Sequence, residues 1–190
     1  MHKAIKILIL ASIFFNFSLG LFGPIYAIFI EKIGENLLLA SESMALYMIS
    51  YGVLKIVFGR MEDIEWNKRK MITLGYLLNT IGFAGYTLVR SPAQLFFIQI
   101  TLGIGEAIKN PAWEAIFSKA LDKGMESSEW AYWGGSTSIV YGVASLIGGN
   151  IAMYFGFRTL FQIMAIATFI ATILSTLLFR KNILKNFIQI

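Results

Sequence analysis

Long apolar runs alternate with short polar segments along the whole chain. Each run holds about 18 residues or more, enough for a helix to cross roughly 30 Å of hydrocarbon. The pattern predicts membrane spans near residues 7–30, 44–61, 70–89, 94–118, 130–155 and 158–179. The predicted fold class is therefore an all-α integral membrane protein, in which six transmembrane helices form a single domain over residues 1–190.

The amino-terminal run could be mistaken for a signal peptide. It is longer than the apolar core of such a peptide, and no clear small-x-small cleavage site follows residues 20–24. We therefore expect it to remain in the protein as the first span.

Composition supports a membrane protein and excludes several kinds of site. The chain is 57% hydrophobic and 14% charged, more apolar surface than a soluble domain of 190 residues could bury. It has no Cys, which excludes disulfides, haem attachment and Cys-ligated metals, and its one histidine, His2, is terminal. Neither a Walker-type phosphate loop nor a nucleophile with a matching base is visible. We expect no enzyme activity, no metal, no cofactor and no ATP-driven step.

The net charge of +5 could suggest a nucleic-acid partner, but the positions of the basic residues explain it better. Eleven of the 16 Lys and Arg residues lie at the amino end, in alternate loops or at the carboxyl end: Lys3, Lys6, Arg60, Lys68, Arg69, Lys70, Lys119, Lys123, Arg180, Lys181 and Lys185. Cytoplasmic loops carry an excess of Lys and Arg. This bias predicts a multi-pass protein of the cell (inner) membrane with both termini in the cytoplasm.

The two halves of the chain resemble each other weakly. Three pairs of segments match in the same order: 24–29 with 111–117, 41–42 with 128–129, and 51–53 with 141–143. We interpret them as a repeat of three spans, with one copy at about 7–89 and the other at about 94–179. Three is an odd number, so the second copy would be inverted in the membrane. Spans 1 and 4 then correspond, and matching breaks at Pro24 and Pro111 would point to a binding site.

Three motifs follow one another along the chain. They are Gly59, Asp63 and Lys68-Arg69-Lys70 between spans 2 and 3; Gln99–Pro111 in span 4; and Gly148-Gly149 followed by Gly156–Phe161. Together they resemble the major facilitator superfamily of transporters. The chain departs from the family pattern at Trp66, where a Gly is usual, and at Gln99, where an Arg is usual. The resemblance covers nearly the whole chain and implies one six-span half of a transporter that normally has twelve spans.

Span 4 carries the main candidate site. At about 100° per residue, eight side chains fall on one face of this helix: Gln99, Gly103, Glu106, Lys109, Asn110, Trp113, Glu114 and Phe117. Glu106 lies near the middle of the span, where a charge is costly and usually faces a bundle interior or a water-filled cavity. The alternative is that Glu106 and Lys109, at positions i and i+3 of the helix, form an ion pair that serves structure only. From this face we select Glu106, Lys109, Asn110, Trp113 and Glu114 as candidates for binding a solute or a proton.

Spans 1, 2 and 5 add further candidates. In span 2, Tyr51 and Lys55 lie one turn apart, although Lys55 could instead extend to the cytoplasmic interface. Asn16 is a polar group in span 1 that could touch the solute. Small residues at helical spacing more often indicate close helix packing. In span 1 they include Gly20 and Gly23, and in span 5 they are Ala131, Ser138, Gly142, Ser145, Gly149 and Ala152.

The segment between spans 2 and 3 is a candidate gating loop. Gly59 would let a helix end approach its neighbour closely. Asp63 can accept hydrogen bonds from a helix start, and the resemblance implies that this helix start is that of span 5 in the other half. Lys68, Arg69 and Lys70 can pair with acids or anionic lipid head groups. The alternative is that these charges only set the topology.

We predict secondary active transport of a small solute, with protons as the candidate coupling ion. Two copies related by an axis along the membrane normal would form a homodimer that replaces the missing half. Two alternatives stay open. One is half of a heterodimer or of a longer transporter, and the other is a membrane scaffold with the same fold that transports nothing.

Overall fold

The structure is a computed structural model that describes residues 2–33, 36–64 and 67–179, without the side chains of residues 63 and 64. Within these ranges the chain is helical and has no strand, which confirms the predicted all-α class. The helices in chain order are α1 (Lys3–Phe22), α2 (Tyr26–Lys32), α3 (Leu37–Ile64), α4 (Lys68–Gly85), α5 (Pro92–Ala120), α6 (Glu126–Tyr154) and α7 (Gly156–Thr176). Single 3₁₀ turns cover Gly23–Ile25, Tyr86–Leu88 and Leu177–Phe179.

Each predicted span corresponds to a helix, with α1 and α2 together forming the first. The largest difference is in α3, which begins at Leu37 rather than near residue 44 and continues to Ile64 rather than ending near 61. Residues 60–64 contain neither Gly nor Pro, so nothing in them ends the helix. Gly59 and Asp63 therefore lie in the last turns of α3, and the prediction that they belong to a loop is wrong.

Four helical stretches in the described ranges are long and apolar enough to cross a membrane by length and composition: Lys3–Lys32, Leu37–Glu62, Glu126–Tyr154 and Gly156–Phe179. The other two long helices are more polar. α4 begins with three basic residues, and α5 holds Glu106, Lys109, Glu114 and Lys119. Six spans therefore remain a prediction, since composition alone supports four.

The helices pack in two groups of three. α5 packs along α3 and α4, while α1 packs along α6 and α7, and α4 joins the groups through α7. The first helix of each predicted repeat thus lies against the second and third helices of the other repeat. α3 and α6 lie at the outside, and most of their apolar residues are exposed.

Close packing between α1 and α6 depends on two glycines. A Cβ on Gly20 would lie 2.5 Å from the backbone oxygen of Tyr141, and one on Gly148 would lie 2.0 Å from that of Leu21. The interpretation that small residues of span 1 indicate close helix packing is therefore confirmed at Gly20. In α6 the contact face differs from the predicted one, because a Cβ on Gly142 or Gly149 would meet no atom within 4 Å.

Only one of the two predicted helix breaks is present in the structure. The first span is interrupted by the 3₁₀ turn at Gly23–Ile25, where Pro24 lacks a backbone N–H. α5 in contrast runs unbroken from Pro92 to Ala120 with Pro111 inside it. The expectation of a matching break at Pro111 is therefore wrong: neighbouring helices can hold a membrane helix together around a proline.

Candidate functional site

Glu106 is the centre of a buried polar network. It lies halfway along α5, fourteen residues from both Pro92 and Ala120, and is 9% exposed. Its Oε1 accepts hydrogen bonds from Lys109 Nζ and, at 2.7 Å, from Asn79 Nδ2 of α4. Its Oε2 accepts from Asn110 Nδ2 at 3.3 Å. Both carboxylate oxygens are thus partnered inside the helix bundle, as a buried charge requires.

Lys109 completes this network with a charge of opposite sign. The residue is only 4% exposed, and its ammonium pairs with the Glu106 carboxylate one turn away. The same ammonium lies 3.7 Å from the ring centroid of Phe15 on α1 and 4.7 Å from that of Tyr76 on α4. Aromatic faces attract cations at such distances. Three helices therefore contribute to holding one ammonium group.

A second ion pair lies on the α3–α5 face, nearer the helix ends. Lys55 Nζ donates to Glu114 Oε1 at 2.8 Å, and the two side chains are 32% and 50% exposed. Tyr51 connects this pair to the buried network. Its hydroxyl accepts from Asn110 Nδ2 at 3.1 Å, and its ring lies 5.6 Å from Lys55 Nζ. The structure thus brings together six of the predicted site residues: Glu106, Lys109, Asn110, Tyr51, Lys55 and Glu114.

A cavity of about 100 Å³ lies beside Glu106, among residues of α1, α3, α4 and α5 with one residue each from α2 and α7. Aromatic and aliphatic side chains form most of its wall, among them Phe15, Phe22, Phe83 and Tyr86. The polar residues of the wall are Tyr26, Tyr47, Asn79, Gln99 and Glu106. An apolar pocket with a few convergent polar groups is the usual form of a small-molecule site. Lys109 is not among the lining residues, so Glu106 contributes the only charged side chain to the described wall.

Tyr26 connects three helices at one end of this cavity. Its hydroxyl accepts from Gln99 Nε2 of α5 at 2.6 Å and shares a hydrogen bond with Ser43 Oγ of α3 at 2.5 Å. Tyr26 is the first residue of α2, directly after the turn that contains Pro24. The break in the first span therefore places a polar hydroxyl where α3 and α5 meet the cavity.

Two predicted site residues lie outside this network. Trp113 is 4% exposed and packs into an aromatic cluster, with ring centroids 4.7 Å from Phe117 and 4.9 Å from Trp133. The Asn16 amide donates to the backbone oxygen of Ser12, one turn earlier in α1, at 2.9 Å. Neither residue lines the cavity. The structure thus gives Trp113 a packing position and Asn16 a bond to its own helix.

The predicted gating segment is only partly described. A Cβ on Gly59 would meet Pro111 side-chain atoms at 3.8 and 3.9 Å, which is ordinary contact, so this approach does not require a glycine. Lys68 Nζ donates to the Glu62 backbone oxygen at 2.6 Å. Lys68, Arg69 and Lys70 form the first turn of α4, which Asn67 caps by accepting from the backbone amides of Arg69 and Lys70. The Asp63 side chain lies outside the described residues.

The family model described as Major Facilitator Superfamily matches residues 8–185. The chain belongs to the major facilitator superfamily. This confirms the predicted family and identifies the protein as a transporter relative with several apolar helices, as expected of a multi-pass membrane protein.

The chain matches relatives of very different lengths. The uncharacterized MFS-type transporter YitZ of Bacillus subtilis is 23% identical over 162 residues, which cover 82% of this chain and 94% of YitZ. The multi-drug resistance efflux pump PmrA of Streptococcus pneumoniae is 29% identical over 175 residues, covering 87% of this chain and 42% of PmrA. The chain therefore spans less than half of PmrA but nearly all of YitZ.

A solved transporter has the same fold as this superfamily chain. The crystal structure of the POT family transporter PepTSo matches with a TM-score of 0.82 and 16% sequence identity. The match covers 93% of this chain and 37% of PepTSo. At this identity the likeness concerns the fold alone, and it places nearly the whole described bundle within less than half of a larger transporter.

Sequence reasoning missed several residues that line the cavity or surround the Glu106–Lys109 pair. Asn79 is the only amide side chain within α4, and that isolation was an available signal. Tyr26 follows the broken turn that the sequence had already singled out. Phe15 and Tyr76 gave no signal, because an aromatic residue in an apolar helix usually indicates packing. Only their distance to Lys109 reveals that they hold a cation.

Proposed function

We propose that this chain is one six-span half of a secondary transporter and moves a small solute through the cavity beside Glu106. Two copies form the complete carrier. In each copy Glu106 is the main group that responds to the solute or to protons, while Lys109, Asn110, Tyr51, Lys55 and Glu114 contribute polar contacts. We expect both termini on the cytoplasmic side of the cell membrane, because of the distribution of Lys and Arg along the chain.

The observation that carries this proposal is the position of Glu106. Glu106 lies at the midpoint of α5 and lines a cavity whose other wall residues are mostly aromatic or aliphatic. Ionisable groups at that depth are expensive and typically mark solute paths or proton relays. The place of Glu106 in the cavity wall therefore favours a role in binding.

The chemistry of the cavity wall suggests the kind of solute. The wall carries aromatic rings and one carboxylate, so it suits a small, largely apolar molecule with a positive charge or hydrogen-bond donors. PmrA is named a multi-drug resistance efflux pump, which agrees with a site of this apolar kind. The cavity is small in one copy, and a facing half would enlarge it.

The outer faces of the bundle support a second half. Lys55 and Glu114 form an ion pair that is one-third to one-half exposed on the α3–α5 face, and such charges are costly against lipid. Water or protein over this face would remove that cost. A second copy related by an axis along the membrane normal would supply such a cover.

The helix packing supports the inverted repeat. In each predicted half, the first helix lies against the second and third helices of the other half. Reciprocal packing of this kind is expected when two similar three-helix units interlock. We therefore retain the division at about residues 7–89 and 94–179.

Exchange of a labelled solute tests the proposal. The chain would be reconstituted into vesicles loaded with unlabelled benzyltrimethylammonium, a small aromatic cation, and uptake of the labelled cation would be measured. We expect protein-dependent exchange that empty vesicles lack. Mass measurement of the active particle should give two copies of the chain. A monomer that exchanges the cation would refute the homodimer, exchange only with a different second chain would favour the heterodimer, and no exchange of any solute would favour the scaffold.

A further inference from the structure

Glu106 and Phe15 each belong to both the cavity wall and the surroundings of Lys109. Both residues line the cavity, and the Glu106 carboxylate and the Phe15 ring contact the ammonium of Lys109, a residue that does not line it. A carboxylate next to an aromatic face is the chemistry that recognises organic cations. The protein thus places its own cation on the two groups that a cationic solute would need.

We propose that Lys109 is a tethered competitor that lowers the affinity of the cavity for organic cations. This inference rests on the proposed function, since it assigns the solute class of the same cavity. Lys109 occupies the Oε1 side of the Glu106 carboxylate, and an incoming cation gains the full charge of Glu106 only when the ammonium withdraws. A strongly bound cation must therefore outcompete a group that is always present.

The surroundings of Lys109 fit this role. Its ammonium is held by charge and by the rings of Phe15 and Tyr76. Its flexible four-carbon stem can move the charge by several ångströms without moving α5. Asn79 and Asn110 hold Glu106 from other directions at 2.7 and 3.3 Å. The carboxylate is thus positioned even when Lys109 withdraws.

The expected size of the effect follows from tethering. A group on a short flexible link has an effective concentration in the millimolar range or above. The apparent affinity for a competing ligand falls in proportion to the fraction of sites left open. If Lys109 occupies Glu106 at least about nine-tenths of the time, its removal raises the affinity for a cation on the order of tenfold or more.

Binding of matched probes tests the competitor role. Benzyltrimethylammonium and neopentylbenzene have the same shape, but carbon replaces the charged nitrogen in the second. Their affinities would be measured by equilibrium dialysis for the full chain in detergent at mildly alkaline pH. In Lys109→Met we expect at least about tenfold tighter binding of the cation and an unchanged affinity for the neutral probe. In Glu106→Gln/Lys109→Met the gain should disappear.

Several outcomes would overturn the proposal. They are unchanged or weaker cation binding by folded Lys109→Met, equal changes for both probes, or a gain that persists without Glu106. Tyr76→Leu provides a second variant if Lys109→Met does not fold, since Tyr76 contacts the ammonium but does not line the cavity. It should tighten cation binding severalfold, and no change would refute the role. Dialysis does not require transport, so failed exchange in vesicles would count against the proposed function alone.

Discussion

The contact between α1 and α6 offers a prediction with an internal control. Gly148 and Gly149 are neighbours in α6, but only the first faces α1. A Cβ on Gly148 would lie 2.0 Å from Leu21 O, 2.6 Å from Leu21 C and 2.7 Å from Leu21 Cα. A Cβ on Gly149 would meet nothing within 4 Å. Gly148→Ala and Gly149→Ala therefore add the same methyl group to a tight contact and to open space.

The difference between the two variants isolates the clash. Replacing Gly by Ala favours a helix by up to about 1 kcal/mol, and this term is common to both variants. At Gly148 the obstacle is backbone, so the helices must separate by roughly 1 Å or more to reach ordinary contact near 3.5 Å. Overpacking of this kind costs about 1–3 kcal/mol. We expect Gly148→Ala to be less stable than Gly149→Ala by about that amount.

Equilibrium unfolding in mixed micelles with increasing sodium dodecyl sulfate would measure the free energy of unfolding of both variants. Loss of helical signal serves as the readout. Gly149→Ala should equal or exceed the parent chain in stability. The packing of α1 against α6 described above would be refuted if Gly148→Ala proved as stable as Gly149→Ala.

Three further predictions concern single contacts. Tyr26→Phe removes the hydroxyl that hydrogen-bonds Gln99 and Ser43 and should lower the free energy of unfolding by about 1–3 kcal/mol. The control Tyr132→Phe, at a residue 59% exposed, should change this free energy little. Equal effects of the two variants would contradict the buried hydrogen bonds of Tyr26. The double variant Lys55→Met/Glu114→Gln removes a pair whose side chains are 32% and 50% exposed, so it should lower the free energy of unfolding by no more than about 1 kcal/mol; a larger loss would contradict this exposure. Asp63 is predicted to contact the helix start near residues 127–129 of the other copy. Asp63→Asn should therefore weaken the dimer by roughly 1 kcal/mol, a typical effect of a charge at a helix terminus. Unchanged crosslinking of the two copies in native membranes would argue against this contact.

The sequence was sufficient to predict the helices because each depends on local information. Apolar runs indicate where the long helices lie and roughly where they end, and Gly156 with its φ of 81° forms a sharp turn between the last two helices. The spacing of Glu106 and Lys109 also indicated their ion pair, since i and i+3 are neighbours on any helix. The segment Gly59–Ile64 was assigned to a loop because its charged residues stand out in an apolar chain. Such residues nevertheless form helices readily.

The cavity could be predicted only in part because it depends on contacts between helices. The helical angle placed Trp113 on the same broad face as Glu106, but a neighbouring tryptophan on α6 determines where that ring packs. Asn79 and Tyr26 reach the cavity from helices distant along the chain. Their polar atoms were visible in the sequence, but their common destination was not.

The central claim is that Glu106 binds the transported solute from the cavity wall. Vesicle exchange of benzyltrimethylammonium by Glu106→Gln, compared with Glu31→Gln at an exposed position of α2 as a matched control, tests it most directly. Because Glu106→Gln leaves the Lys109 ammonium buried without its partner, Glu106→Gln/Lys109→Met would be measured beside it as a charge-free pair. The account predicts exchange near the parent rate for Glu31→Gln and at least about tenfold slower exchange for both Glu106 variants, since loss of a charge-assisted contact costs about 1.5–3 kcal/mol. Exchange at the parent rate by folded Glu106 variants at every pH tested would contradict it.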